Sequence, residues 1–444
     1  MKMNADHLYS HSKPYDILKR ITSWYHSVYY EEICLMNTHN IPAEGPVIFT
    51  PNHQNALMDA LAIIYTTSRQ PVFMARADIF KQEKVKKILT FLKIIPVYRI
   101  RDGIESLSNN DESFEMAFQV LKHNGAVGIM PEGNHGEQRR LRPLKKGVAR
   151  LAIQAQELLG NEASIKIVPV GLDFSTYQGF RGSMTVNFGK PVEVKEFLAE
   201  YKENAAKGLQ SIRSRLAEEL KSVMINIDTD EFYETIYAAK ELLAYHNREN
   251  HEDFCDKFKE NKVLTDKLVA LEQQNPDELR NLKKQINALI YASRQLKISP
   301  WIFSWKPPVK ATEWISDIFR YVIFFPIFMF AAFFHAVPYF VSEFYSNKVK
   351  DKQFVSSMRF VISFVSYLLW YLIVLIIPFS IFLKVILLLT MPIFGIMSFD
   401  YWDSITKAPF KLRYLLLKRR NDRALKNAQS LYEEIIEWLS RKNA

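Results

Sequence analysis

The run Pro46-Val-Ile-Phe-Thr-Pro-Asn-His-Gln-Asn-Ala-Leu-Met-Asp59 opens as an apolar strand, passes through a polar turn and enters a helix near Asp59. A strand handing over to a helix through a turn that carries a histidine is the local signature of an α/β domain with chemistry at a strand end. A loop histidine and a carboxylate about one and a half turns into the following helix can meet. The carboxylate then sets the imidazole tautomer and stabilises its cationic form, which makes His53 and Asp59 a candidate general-base pair for a hydroxyl or water. A structural cap is the alternative reading of such a pair.

The alternation continues downstream. Pro71–Met74, Ile94–Arg99, Ala126–Met130, Ile165–Leu172 and Met184–Phe188 read as strands. Asp59–Tyr65, Lys84–Lys93, Glu112–His123 and Lys146–Leu159 read as helices between them. This predicts an α/β domain around a largely buried sheet. Upstream, Ile17, Leu18, Ile21, Trp24 and Tyr25 fall on one helical face, which either packs on the domain or lies on a bilayer.

Three more constellations follow the strands. Met130-Pro-Glu-Gly-Asn-His-Gly136 places Glu132 at a strand end, where α/β folds bind ligands, among glycines that permit tight turns. Arg99 and Arg101 close a strand, and Arg139, Arg140, Arg142, Lys145 and Lys146 follow the Glu132 turn; such cations bind phosphate or simply face solvent. Pro169, inside the apolar run Ile167–Gly171, calls for an edge or a strand end.

Beyond residue 200 the pattern changes. Residues 200–298 are charged, nearly free of glycine and helical in period, with Asn275-Pro-Asp-Glu278 as a helix start and Leu279, Leu282, Ile286, Leu289 and Leu296 as its apolar face. Tyr321–Ser342 then contains no Asp, Glu, Lys or Arg, and Phe360–Phe399 contains only Lys384. The first stretch is long enough for one crossing of about 30 Å of hydrocarbon, and the second fits two helices turning near Pro378. Basic residues precede, separate and follow these stretches, at Lys306, Lys310 and Arg320, at Lys348, Lys350, Lys352 and Arg359, and from Lys407 to Arg420. The positive-inside rule puts all three clusters on one side, which a single crossing by 321–342 does not satisfy, so an in-plane or re-entrant hairpin is the alternative. The expected organisation is 1–200 an α/β domain with an amphipathic N-terminal helix, 201–310 a helical subdomain, 311–400 membrane-embedded helices and 401–444 an amphipathic helical tail.

The 444 residues carry 58 Lys+Arg against 48 Asp+Glu, a net charge of +10 that points to an anionic partner. Two cysteines, Cys34 and Cys255, exclude a disulfide framework and a cysteine zinc finger, and suit a reducing compartment. Met1–Tyr30 is polar and lacks the pattern of a signal peptide, so the expected location is integral to a membrane with the catalytic domain facing the cytoplasm.

The four blocks, in this order, resemble the glycerolipid acyltransferase superfamily, and the resemblance covers about residues 30–195. It is similar to the fungal glycerol-3-phosphate/dihydroxyacetone-phosphate acyltransferases in three respects. These are the five residues between His53 and Asp59, where the family usually has four, the Ile-Pro-Val approach to Arg99, and the apolar segments after the domain. Further departures are Lys93 and Pro96 in place of the usual Gly and Phe, and Asn134 in place of the usual Thr after Pro-Glu-Gly. The resemblance implies His53 as base and Asp59 as its orienting partner. It implies Arg99, with Lys145 or Lys146, as holders of the acceptor phosphate, and Glu132 and Gly133 as substrate-positioning residues with backbone N–H groups near Gly133 facing the oxyanion. It implies an acyl thioester donor on coenzyme A or acyl carrier protein, and an acceptor that is glycerol-3-phosphate, dihydroxyacetone phosphate or lysophosphatidate. Membrane phospholipids are the expected surroundings, and neither a metal nor another cofactor is expected. The spacing of His53, Glu132 and His135 matches no zinc motif, and no sequence supports nucleic-acid binding. The alternative of another class is a membrane scaffold that keeps the fold without catalysis.

Overall fold

The computed structural model describes residues 6–98, 110–136, 138–160, 162–247, 253–307 and 311–443. The chain forms two compact units. One comprises the chain through Asp228 together with Phe254–Phe258 and Asp351–Ser357; the other holds Thr229–Asp253, Lys259–Lys350 and Met358–Ala444.

The first unit is built on one sheet. Its strands are β1 (Glu32–Met36), β2 (Val47–Pro51), β3 (Val72–Arg76), β4 (Ile94–Val97), β5 (Ala126–Gly128), β6 (Lys166–Phe174), β7 (Ser183–Phe188) and β8 (Val192–Glu193). They lie in the order β1-β7-β6-β2-β5-β3-β4, with β8 paired to β6. Strands β6, β2, β5, β3 and β4 run parallel, while β7 is antiparallel to β6 and carries β1 parallel to itself. Every residue of β2 is buried, as expected of a central parallel strand covered on both faces. The helices of this unit are α1 (Asp6–Tyr9), α2 (Lys13–Tyr29), α3 (Leu57–Thr66), α4 (Glu83–Phe91), α5 (Asn110–Lys122), α6 (Lys146–Leu159), α7 (Leu198–Glu203) and α8 (Ala205–Val223). Val148, Leu151 and Ala152 of α6 and Ile212, Leu216 and Leu220 of α8 share one core with Ile48, Val127 and Ile167 of the sheet. Gly171 is required there, since a Cβ would lie 2.1 Å from the Val223 carbonyl oxygen at the end of α8.

Most expected elements are present, with four differences. β1 and β8 were not anticipated. Pro169 sits neither on an edge strand nor at a strand end, because β6 is central. It is tolerated because β6 pairs with β8 only through Ile167 and with β7 only from Val170, so no ladder bond is lost with the missing Pro169 N–H, while the Pro169 carbonyl accepts the Gly189 N–H at 2.8 Å. Cys34 and Cys255 are joined as a disulfide across 221 residues, where the composition suggested free thiols; a lone distant pair leaves no spacing pattern to read. Finally, Ile17, Ile21 and Trp24 of α2 are 61%, 50% and 59% exposed while Leu18 and Tyr25 are half-buried, so this face packs on the domain only in part, and α2 buries Tyr15, His26 and Tyr29.

The second unit contains α9 (Tyr233–His246), most of α10 (Phe254–Gln274), α11 (Pro276–Leu296), α12 (Ala311–Ser346), most of α13 (Val355–Ile376), α14 (Ile381–Arg419) and α15 (Arg423–Asn443). Leu279, Leu282, Ile286, Leu289 and Leu296 are all buried, and α15 contributes Ile435, Ile436 and Leu439 to the buried set. The α11 start has Pro276 in its first turn as expected, but the Asn275 side chain does not accept a backbone N–H; its amide donates to Glu278 at 2.8 Å. α12, α13 and α14 are each long and apolar enough to cross a membrane, and α13 and α14 are separated by a break at 377–380, beside Pro378.

Candidate active site

β2 and β5 are neighbouring parallel strands, so the turns after them emerge on the same, carboxyl edge of the sheet. The β2 turn begins at Asn52, whose side chain pairs with both backbone groups of Leu172, accepting from its N–H at 2.6 Å and donating to its carbonyl at 3.0 Å. His53 follows, and Asp59 lies in the first turn of α3, fully buried. Asp59 Oδ2 accepts the backbone N–H groups of Gln54 at 2.9 Å and Asn55 at 2.8 Å, and stands 2.9 Å from His53 Nδ1. An oxygen already gathering two N–H donors acts as acceptor to the third, so Nδ1 carries its proton and Nε2 is left as the base.

The five-residue spacing is accommodated by Ala56, which takes φ 48 and ψ −117. That one positive-φ residue absorbs the extra position and returns Asp59 to His53. A neighbouring signal is Asn55, whose side-chain amide, like Asp59 Oδ1, is buried without a hydrogen-bond partner among the described residues.

The β5 turn clamps the same histidine. Glu132 is 2% exposed; its Oε1 accepts His53 N–H at 2.8 Å and its Oε2 accepts Arg142 N–H at 3.2 Å. Gly136 N–H donates to the His53 carbonyl at 3.1 Å, so both backbone groups of His53 are held by one loop. Burial pushes the Glu132 carboxyl up to about 7, against the opposing pull of these N–H groups. Glu132 therefore holds the His53 backbone. Gly133 takes φ 69, and a Cβ there would stand 3.0 Å from Lys145 Cγ, so glycine serves both the turn and the passage of Lys145 over it.

The cations divide. Arg139 is buried against Asp173 at 2.7 Å and the Phe174 carbonyl. Arg140 donates to the Ile227 carbonyl at 3.0 Å, and Arg142 to that of His135. Lys145 and Lys146 are exposed at the start of α6. Arg99 and Arg101 lie outside the described residues. Lys93, in place of the usual glycine, adopts φ 57, and its buried ammonium donates to the carbonyls of Leu8 at 3.2 Å and Ser10 at 2.8 Å. The side chain thus ties the N-terminal segment to the domain, and burial lowers its pKa to about 8.

One part of the site was invisible in the sequence. Asp351–Ser357, the connection between α12 and α13, is built into the α/β unit. Ser357 Oγ accepts the N–H of Leu57 at 3.1 Å, at the first turn of α3, and Ser356 Oγ lies 3.4 Å from Tyr29 Oη. The Phe354 ring meets His135 edge-on at 4.9 Å, and His135 in turn lies 4.1 Å from the His53 ring. No motif marks this segment, which lies about 300 residues from the histidine that it helps to enclose.

A buried carboxylate orienting an imidazole at the carboxyl edge of a parallel sheet is an arrangement that can activate a hydroxyl or a water. Known proteins are similar to this part of the chain. Residues 32–173 match the acyltransferase family model. The chain is 31% identical over 132 residues to glycerol-3-phosphate O-acyltransferase 1 of Saccharomyces cerevisiae, covering 29% of this chain and 17% of that protein. It is 27% identical over 144 residues to human 1-acyl-sn-glycerol-3-phosphate acyltransferase alpha, covering 32% and 45%. The chain thus spans under a fifth of the yeast relative it matches. Among solved structures, it matches a 1-acyl-sn-glycerophosphate acyltransferase from Thermotoga maritima at 20% identity and TM-score 0.34, over 47% of this chain and 80% of that one. Within the α/β unit, residues 32–173 are thus similar to acyltransferases of glycerolipid synthesis.

Proposed function

We propose that the protein transfers a fatty acyl group from an acyl thioester to a hydroxyl of a glycerol phosphate, with glycerol-3-phosphate as acceptor. The observation that carries this reading is the His53–Asp59 pair at 2.9 Å, inside the region that matches the acyltransferase model. His53 Nε2 takes the proton of the acceptor hydroxyl as its oxygen attacks the thioester carbonyl. Asp59 stabilises the imidazolium. The carbon–sulfur bond then breaks, and His53 returns the proton to the departing thiolate, so no covalent enzyme intermediate is required. Lys145 and Lys146, exposed beside the Gly133 turn, supply positive charge for the acceptor phosphate, and Arg99 is assigned to the same task from its place in the motif order. The donor carrier is coenzyme A or acyl carrier protein. We place the catalytic unit on the cytoplasmic face of the membrane.

The similarity to 1-acyl-sn-glycerol-3-phosphate acyltransferases supports a second acceptor, lysophosphatidate. Membranes containing the full chain, given a radiolabelled acyl thioester with either acceptor, distinguish the two by the product formed. His53→Ala is expected to lower turnover by at least about 10³-fold at equal protein content, in the range seen when a catalytic base is removed. Unchanged turnover in that variant would sink the mechanism, and no turnover by the wild-type chain with any glycerol-phosphate acceptor would leave the scaffold reading.

A further inference from the structure

The three apolar helices do not pair as three successive membrane crossings. Consecutive crossings alternate in direction, so the first and third run parallel. α12 and α14 run antiparallel. Tyr321 Oη lies 2.6 Å from Ser404 Oγ, and the Tyr321 carbonyl accepts from Tyr401 Oη at 3.0 Å. Further along, the Phe328 ring lies 4.9 Å from that of Tyr401, the Phe330 ring 6.2 Å from that of Phe394, and His335 Nε2 2.9 Å from the Met391 carbonyl. Residue numbers rise along one helix as they fall along the other. α12 is antiparallel to α13 as well: Ser342 Oγ donates to the Arg359 carbonyl at 3.2 Å, and the His335 ring lies 5.5 Å from Tyr367.

The flanks of α12 supply an independent constraint. Its C-terminal end runs within a few residues into Asp351–Ser357, which belongs to the α/β unit. Its N-terminal end follows, within the helical unit, the segment where Phe303 stacks on Tyr432 and Trp305 meets Tyr414. By sequence, the chain passes between these units at Asp228–Thr229 and along α10, which carries Asp256, Lys257, Lys259, Glu260 and Lys262 in its first half. A segment so charged does not cross hydrocarbon. Both ends of α12 are therefore on one side of a bilayer, and α12 does not cross it. α14 lies along α12 from Met391 to Ser404, in the same layer. What remains of α14 before that, Ile381–Thr390, is about 15 Å of helix, half of the ~30 Å hydrocarbon thickness, so α13 has no partner long enough to return from a crossing.

We propose that α12, α13 and α14 form a monotopic wedge, seated in one leaflet of a phospholipid bilayer and crossing it nowhere. Its lipid-facing surface includes Phe333, Phe340, Ile376, Ile381 and Phe382, each at least 65% exposed. Lys348, Lys350, Lys411 and Lys418 at the ends of the apolar stretches meet anionic headgroups on the same face. The inference goes beyond acyl transfer and does not depend on it.

The test is cysteine labelling of the full chain in sealed membrane vesicles of known orientation, with a membrane-impermeant maleimide and the wild-type chain as blank. Glu157→Cys, on an exposed face of α6, reports the side of the α/β unit; Lys350→Cys reports the α12–α13 connection; Phe379→Cys and Ser380→Cys report the α13–α14 turn. The expected result is that Glu157→Cys and Lys350→Cys react from the same face. The turn reporters then react from that face, or only after detergent has opened the membrane. Reaction of Lys350→Cys or of either turn reporter from the face opposite Glu157→Cys overturns the proposal.

Discussion

Asp59 Oδ2 holds three donors, two from the backbone of the turn and one from the imidazole. The carboxylate thus shapes the loop that it also polarises. Asp59→Asn removes the charge and presents an amide whose N–H₂ cannot accept, so turnover should fall by about 10²- to 10⁴-fold with the chain still folded, as for loss of charge behind other catalytic histidines. Assay at equal membrane content checks this, and a fall below tenfold would remove Asp59 from the mechanism. Ala56 meets the five-residue spacing at φ 48, a conformation that costs a non-glycine residue of order 1–3 kcal/mol. Ala56→Gly should raise the stability of the α/β unit by about 1 kcal/mol after the entropic cost of glycine, read as a higher thermal midpoint. Glu132 carries a pH signature. Its folded pKa of about 7 lies above the ordinary 4.5, so between these values the folded chain keeps a proton that the unfolded chain has lost, and stability falls as pH rises through that window. Glu132→Gln should remove a pH-dependent term of up to roughly 3 kcal/mol between pH 4.5 and 7.5. Parallel stability profiles for variant and wild type would refute it.

At the scale of elements, the positions of His53, Asp59 and Glu132 were legible because His53 and Glu132 sit in turns that directly follow apolar strands and Asp59 opens the helix after the first of these turns. What Glu132 binds was not legible. Nothing in Pro131-Glu-Gly says that both carboxylate oxygens will be taken by backbone N–H groups of His53 and Arg142. The basic run after Glu132 read as one patch, yet Arg139, Arg140 and Arg142 are tied to carboxylate or carbonyl partners of the fold. Only Lys145 and Lys146 remain exposed there. The Asp351–Ser357 connection is the element with the sharpest consequence. Phe354 packs on His135 and His135 on His53, so Phe354→Ala should lower turnover by about two- to tenfold, the equivalent of the ~0.5–1.5 kcal/mol that an aromatic pair contributes. Ser357→Ala should cost about 1 kcal/mol of stability by leaving the Leu57 N–H at the start of α3 without its acceptor. Turnover of Phe354→Ala equal to wild type would show that the connection only fastens the unit.

For the whole molecule, the Cys34–Cys255 disulfide fastens the first turn of α10 to the β1 edge of the sheet across 221 residues. Closing so long a loop restricts the unfolded chain, and reduction should lower stability by about 2–4 kcal/mol, measured as a fall in thermal midpoint with dithiothreitol that Cys255→Ser reproduces. An unchanged midpoint would assign the bond no stabilising role. Local patterning was enough to specify the α/β class, the His–Asp and Pro-Glu-Gly turns, the apolar face of α11 and the three apolar helices, because strand and helix periodicity, turn chemistry and hydrocarbon length are properties of neighbouring residues. Tertiary structure alone decided the backbone clamp on His53, the return of Asp351–Ser357 to the site, the joining of Cys34 to Cys255 and the antiparallel run of α14 along α12. Each of these is a meeting of residues far apart in the chain, and a long-range meeting is set by which surfaces the whole fold can bury together.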